Sequence, residues 1–448
     1  MKIIRTALTI LLVLFIGACG HCEEIPPDAA RQLSLKDAID IAVQNNYPIQ
    51  IQEQEIEYAR ANILGAQSIY YPQFNTGFGY TYNNAAFYTT DFSPPQRKDI
   101  RIFGGYKSDN LFTVSANQTV YNGGANTANL MQARLGLKVQ QETLRARRLD
   151  VEFEAKRLYY GLLLAYETER ITKELLENTR VHYDDVNAKY GQGTSSKFDV
   201  LQSYVQVSKV MPELIKAQNA VELIMAELKK LLSISQEESV SLTGHLGYSP
   251  IGQSEGEYLQ EAYRNRPEMI LRLLGIDIKK WAIEYAKAGY YPQVNAAGGY
   301  SYRSNNIGDM FNPRHDNWNL GVKATLNVFD GFSTKAKVDE AKAKYSQARL
   351  EKEDIADQTA LDIKSACLDL KKAKAIIDSQ KDSVVEAKEA LRIAEVGYDN
   401  GVTANLDVLD TLVSLSQVQK NLSEGIYDYL VAKAQLYRVM GREVYEEG

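Results

Sequence analysis

The chain has 448 residues, 45% hydrophobic and 24% charged, which excludes wholesale disorder and at roughly 150 residues per domain predicts about three domains. The net charge of −6 excludes a nucleic-acid binder of the usual basic-faced kind. Tyrosine dominates the aromatic residues, 29 against 12 Phe and 2 Trp, and a ring that is apolar along its body and polar at its tip suits a surface apolar at one depth and wet at the next.

In chain order, Lys2 and Arg5 followed by the apolar run Ala7–Ala18 read as a secretory signal, because the run is too short to span a bilayer. Two cleavage readings fit. Ile16-Gly17-Ala18-Cys19 resembles a bacterial lipobox, which would make 1–18 the signal and Cys19 a lipidated first residue. Ala18-Cys19-Gly20 is an ordinary small-residue site, which would make it 1–20. Cys19 and Cys22 have metal-like spacing but no second ligand pair, so no metal site is expected. No later segment approaches 18 uninterrupted apolar residues, so no transmembrane helix is expected in the mature chain.

After a linker over 19–33, Ser34 is an N-cap candidate for a helix running to about Ser68. Strands follow at about 74–82 and 111–121. In the first, Phe74, Thr76, Phe78, Tyr80 and Tyr82 share a face; in the second, Phe112, Val114, Ala116 and Val120 do. A long helix spans Gly123 to Gly193, and a shorter one runs to Leu232. Arg145, Arg147 and Arg148 on the long helix read as a solvated face. A linker rich in Gly, Ser and Glu covers 233–256. The pattern then returns over 257–440: a helix to about Gly289, strands at about 294–302 and 318–329, a long helix from Gly331 to Gly401 and a shorter one to Met440. A tail covers 441–448.

The return is a repeat. Tyr70-Tyr71-Pro72-Gln73 recurs as Tyr290-Tyr291-Pro292-Gln293, and Phe198-Asp199-Val200-Leu201 as Leu406-Asp407-Val408-Leu409. Gly123 to Gly193 and Gly331 to Gly401 are each 70 residues, about 100 Å if helical at 1.5 Å per residue. Asn46-Tyr47-Pro48 is echoed by Asn265-Arg266-Pro267. Apolar residues seven apart stripe the helices: Leu130 to Leu158, Val200 to Leu228, Tyr204 to Leu232 with Gln218 interrupting, Ile363 to Tyr398 and Val408 to Leu436. Such stripes pack helix on helix with left-handed supercoiling. Pro212 falls inside one of them and is expected to kink or interrupt its helix.

The strands have the length and alternation of membrane barrel strands. Residues 70–121 and 290–329 also hold 11 of the 29 tyrosines and 8 of the 12 phenylalanines, as a membrane girdle would. Four strands cannot close a barrel, and open edges are not viable in lipid. Strands that span a membrane therefore demand an oligomer, and twelve strands from three chains is one solution. A periplasm-spanning, lipid-anchored coiled-coil scaffold without a through-pore is the rival reading, but it has no need of four such strands.

With these landmarks in order and duplicated, the sequence resembles the TolC family of outer-membrane efflux proteins. Leu35-Lys36-Asp37-Ala38, Asn45-Asn46-Tyr47-Pro48, the paired Tyr-Pro-Gln entries, Tyr190-Gly191-Gln192-Gly193 and Gly397-Tyr398-Asp399-Asn400-Gly401 carry the resemblance, together with Leu406-Asp407-Val408-Leu409-Asp410. It implies an α+β membrane protein of two tandem repeats. Three copies would form a 12-stranded outer-membrane barrel continuous with a helical tunnel across the periplasm. As partners it implies a periplasmic membrane-fusion adaptor and an inner-membrane pump of the RND, ABC or MFS type, with outer-membrane lipid around the barrel. The implied role is the exit duct of a tripartite efflux or type I secretion system, gated at the helix tips.

The family's acidic ring at the tunnel mouth matches Asp407 and Asp410, and its lock tyrosine matches Tyr398. An arginine of that lock in the family's well-known example is replaced here by Thr403. Asp199 is the first-repeat counterpart of Asp407, and both stand where a helix starts, so capping is the competing structural account of each. Gln202 occupies the place equivalent to Asp410, so capping does not account for that acid. Gly193 and Gly401 are expected to supply turn conformations. The four histidines are scattered, and no HExxH, GxSxG or GxxxxGK[ST] pattern occurs. Neither an enzyme nor a cofactor is expected.

Overall fold

The computed structural model describes residues 31–84, 87–90, 101–105, 107–252 and 254–442. The expected signal segment, Cys19, Cys22 and the last six residues lie outside them. A short strand β1 (Arg31–Leu33) precedes α1 (Leu35–Asn45) and α2 (Tyr47–Ser68). Strand β2 (Gln73–Tyr82), a small antiparallel ribbon of β3 (Phe87–Thr90) and β4 (Arg101–Gly105), and β5 (Ser108–Asn122) follow. Next come α3 (Ala125–Gly191) and α4 (Lys197–Leu232). After β6 (Val240–Leu242), the second half brings α5 (Glu255–Asn265), α6 (Pro267–Lys287), β7 (Gln293–Ser304), β8 (Asp316–Thr325), α7 (Ser333–Asp399) and α8 (Asn405–Met440). Helices α3 and α7 have 67 residues each, and α4 and α8 have 36 each.

The first helix of each half is two helices, not the single one expected. Ser34 and Asp37 close a capping box at the start of α1, with Asp37 N–H donating to Ser34 Oγ at 3.2 Å and Ser34 N–H to the Asp37 carboxylate at 3.1 Å. Ser254 and Glu257 repeat it for α5, which starts two residues before the expected Glu257. Eleven residues later each chain segment turns extended, at Asn46 (ψ 122°) and at Arg266 (ψ 123°). Pro48 and Pro267 then sit in the first turn of the next helix, where a missing N–H costs nothing. The breaks superpose Asn46 on Arg266, so the proline echo is out of step by one residue. By contrast α4 runs through Pro212 without interruption.

Strands β2, β5, β7 and β8 form one antiparallel sheet in that order. Its register aligns the apolar faces that alternation had picked out within single strands. Phe78 stands opposite Phe112, and Phe112 opposite Tyr302. The next row runs Thr76, Val114, Tyr300 and Trp318, and the next Phe74, Ala116, Gly298 and Leu320. These side chains face out of the protomer: Phe74 is 73%, Trp318 70% and Leu320 78% exposed. The opposite face is small and polar, with Asn75, Ser115, Gly299 and Asn319 in one row.

Two strand expectations are corrected. A bulge between Thr119 and Tyr121 puts Tyr121, not Val120, opposite Val294; the extra residue flips the alternation. Strand β8 ends at Thr325 rather than at residue 329. Among the described residues it pairs only with β7, whose first paired residue is Gln293, and Pro292 before it has no N–H to extend the ladder. Leu326, Val328 and Phe329 are left exposed. The polar face also gains a charged pair, since β5 and β7 are longer than expected: Arg303 Nε donates to Asp109 at 2.9 Å.

Among the described residues three cores lie along the helices. One gathers Leu33, Ile39 and Ile49 with Val151, Leu158, Leu162 and Leu228. It is tied to the parallel β1–β6 pair by Tyr159 Oη, which donates to Thr243 O at 2.6 Å. A second gathers Tyr258 and Ala262 with Ile363, Leu370, Ile377, Tyr429 and Leu436, and Cys367 packs partly buried against it. The third sits toward the hairpin tips. Most stripe residues are in these cores, but Tyr204 and Met211 face outward, 56% and 38% exposed. Arg145 is not part of a solvated face. It donates to Asn265 O at 2.5 Å and Gly441 O at 3.3 Å, joining α3 to the second half. Among the described residues no helix is long and apolar enough to cross a membrane.

Candidate functional site at the helix tips

Helices α3 and α4 form one hairpin, and α7 and α8 another. At 1.5 Å per residue a 67-residue helix carries its tip about 100 Å from the sheet. Each tip reverses through a glycine in the left-handed region, Gly193 at φ 82° and Gly401 at φ 73°, a conformation glycine adopts without steric cost.

Asp199 closes a capping box with Ser196. Its N–H donates to Ser196 Oγ at 3.1 Å, and its carboxylate accepts from Ser196 Oγ at 2.6 Å and Ser196 N–H at 3.2 Å. Asp407 has only half of that arrangement: its carboxylate accepts from Ala404 N–H at 3.2 Å, and alanine offers no hydroxyl in return. Asp407 and Asp410 are both exposed, one helical turn apart on α8. Negative charge is favoured in a helix's first turn, so capping accounts for Asp199 and in part for Asp407.

Tyr398 lies between the hairpins. Lys189 Nζ sits 4.3 Å from the centre of its ring, and the His182 ring packs at 5.2 Å on it. Burial pushes the Tyr398 phenol above its ordinary value. Lys189 pairs with Asp185 on its own helix at 2.8 Å and with Asp399 across the tips at 2.9 Å. Burial opposes the Lys189 charge, but these two carboxylates outweigh it and hold its pKa above the ordinary value. Thr403 leans back over Gly397, and a Cβ placed at Gly397 would stand 3.0 Å from Thr403 Cβ. Below the turn Leu175, Leu176, Val210, Ala394, Val408 and Leu412 form a dry cluster joining both hairpins.

Sequence reasoning missed Asn405. It is 3% exposed and bonded to α3 and α4 through both ends of its amide. The available signal was its position three residues before Val408, a polar side chain on a buried apolar stripe, which in coiled coils specifies register. The tips also expose apolar side chains: Phe198 is 70% and Val402 84% exposed.

A family profile described as outer membrane efflux protein matches residues 38–233 and 258–442. The chain is 22% identical over 385 residues to outer membrane protein TolC of Vibrio cholerae, covering 85% of this chain and 84% of that protein. It is 23% identical over 425 residues to cation efflux system protein CusC of Escherichia coli O157:H7, covering 91% and 85%. Among solved structures, the outer membrane protein VceC of Vibrio cholerae superposes with a TM-score of 0.79 at 19% identity, covering 91% of this chain and 96% of that one. The matched segments contain both long hairpins and all four strands of the large sheet, so the chain belongs to the outer membrane efflux protein family of the bacterial outer membrane.

Proposed function

We propose that three copies of this chain form the exit duct of a tripartite efflux or type I secretion system. The observation that carries this is the sheet β2-β5-β7-β8. It has a continuous exposed apolar face, two edges that no described strand pairs, and strands of 10 to 15 residues, enough to span a bilayer when tilted. Strands β2 and β8 run in opposite directions, so β8 of one copy meets β2 of the next antiparallel and three copies close twelve strands without an edge. The two tandem repeats then each give two strands to the barrel and one long hairpin to a tunnel reaching across the periplasm.

In this reading Asp407, Asp410, Tyr398 and Asp199 form the constriction at the tunnel mouth, and the exposed Phe198 and Val402 meet the periplasmic adaptor. An inner-membrane pump supplies the energy, and Cys19, where lipidated, tethers the first residue to the outer membrane. Six carboxylates from three copies of Asp407 and Asp410 around one axis favour cations. Asp407→Ala with Asp410→Ala is expected to lower the cation-to-anion permeability ratio several-fold, measured as the reversal potential in a salt gradient across a planar bilayer. An unchanged ratio would remove these acids from the constriction. Absence of any pore from purified wild-type trimers would overturn the duct itself in favour of a scaffold.

A further inference from the structure

We propose that Asn405, engaged by His182, is the positioning residue that pins the α7–α8 tip to the α3–α4 tip, and that releasing this pin opens the duct. The inference rests on the exit-duct reading. Asn405 Nδ2 donates to Gln202 Oε1 at 3.1 Å and reaches Asp199 O at 3.4 Å. Its Oδ1 accepts from Ser203 Oγ at 3.1 Å and from His182 Nε2 at 2.8 Å. An amide oxygen can only accept, which places the imidazole proton on Nε2. A backbone carbonyl also only accepts, which fixes the amide in this orientation.

Every donor and acceptor of the Asn405 side chain is therefore taken, and all four partners belong to the other hairpin or its capping turn. The site is dry: Asn405 is 3% and Ser203 0% exposed. The polar contacts elsewhere between the tips are weaker fasteners. Asp399 of the Lys189 pair is 68% exposed, and solvated pairs of that kind contribute little. The apolar cluster beneath holds the hairpins together but carries no hydrogen-bond direction. Asn405 supplies the direction.

Capping does not explain the residue. The equivalent first-repeat position, by the match of Phe198-Asp199-Val200-Leu201 to Leu406-Asp407-Val408-Leu409, is Lys197, which is exposed. Nor can the bonds be lost gradually. A buried amide stripped of one partner while still dry costs more than one released fully to water, so the contact is either complete or broken. That is the behaviour of a two-state element, and the His182 ring against Tyr398 couples it to the Lys189 contact.

The test uses full-length trimers in planar bilayers. The wild type is expected to show low resting conductance. Asn405→Ala and His182→Ala are each expected to raise the open-to-closed ratio about tenfold, equivalent to about 1.4 kcal/mol. The double variant should do no more than either single one, because one unit is being broken. Lys197→Ala should match the wild type. Wild-type conductance from both single variants, or a wild type already fully open, would overturn the pin while leaving the duct intact. A wild type that forms no pore overturns the duct and the pin with it.

Heat-modifiable trimers on gels check assembly. A variant that fails to assemble is replaced by Ser203→Cys with Asn405→Cys in a background lacking Cys22 and Cys367. Oxidation should then lock the low-conductance state and reduction release it. Failure of the disulfide to form, or to hold the channel shut, overturns the pin.

Discussion

Gly123→Ala is expected to destabilise the protein by about 2–5 kcal/mol, and Gly331→Ala by only about 1–2 kcal/mol, although the two glycines hold equivalent turns. Each ends the strand-bearing part of its half and leads into a 67-residue helix. Each is in the left-handed region, at φ 67° and 68°, so any L side chain at either position meets the left-handed penalty. Their surroundings separate them. A Cβ at Gly123 would lie 2.5 Å from Ala288 O and 2.9 Å from Tyr291 Cβ, in the tight turn entering β7, whereas a Cβ at Gly331 meets no described residue within 4 Å. A backbone oxygen cannot step aside as a side chain can, so the clash falls on the seam between β5 and β7. The thermal midpoint of helix circular dichroism in detergent measures both variants. Equal losses would show that the close approach at Gly123 carries no energy.

That seam also marks where sequence reasoning stops. Alternation in 74–82 and 294–302 identified strands and their apolar faces, because side-chain direction along a strand is a local property. Register between strands is not local, yet the rows Phe78–Phe112–Tyr302 and Val114–Tyr300–Trp318 align because a one-residue slip would turn a whole face over. The bulge at Val120 and the end of β8 at Thr325 depend on what the neighbouring strand offers, and neither leaves a mark in its own segment.

The hairpin tips behave the same way. Gly193 and Gly401 were legible as turns, and Asp199 as a cap, because both roles are played within four residues. Asn405 and His182 lie 223 positions apart, and only the fold shows that they touch. Asn405 still carried a readable oddity, a polar residue on a buried stripe. His182 carried none, since one histidine on a charged helix has many dull explanations.

The feature with the largest expected effect is centred on Arg266. Its side chain is 5% exposed, and its guanidinium reaches Asp362 at 2.8 Å, Thr359 Oγ1 at 3.1 Å and Glu268 at 3.2 Å. Glu268 also accepts from Arg438 at 3.3 Å, and Arg438 donates to Asp150 at 2.7 Å. The chain of charges Asp362–Arg266–Glu268–Arg438–Asp150 fastens α7, the α5–α6 break, α8 and α3 at one level of the rod. The equivalent break in the first half uses neutral Asn46, donating to Leu231 O at 3.2 Å, so the arginine is a device of the second half rather than a demand of the break.

Arg266→Leu leaves Asp362 without its cation at a joint where the arginine itself is 5% exposed, and is expected to lose about 3–5 kcal/mol, the usual cost of removing one partner of a buried pair. Arg266→Leu with Asp362→Leu should recover most of that loss, since an apolar pair can replace a buried ion pair at little cost and Glu268 keeps Arg438. Arg266→Asn should fail to rescue, because an amide carries no charge to neutralise Asp362. Thermal unfolding of the purified protein in detergent separates these outcomes. A double variant no more stable than Arg266→Leu would mean that the arginine holds the break by shape, through its extended backbone and Thr359, and not by charge.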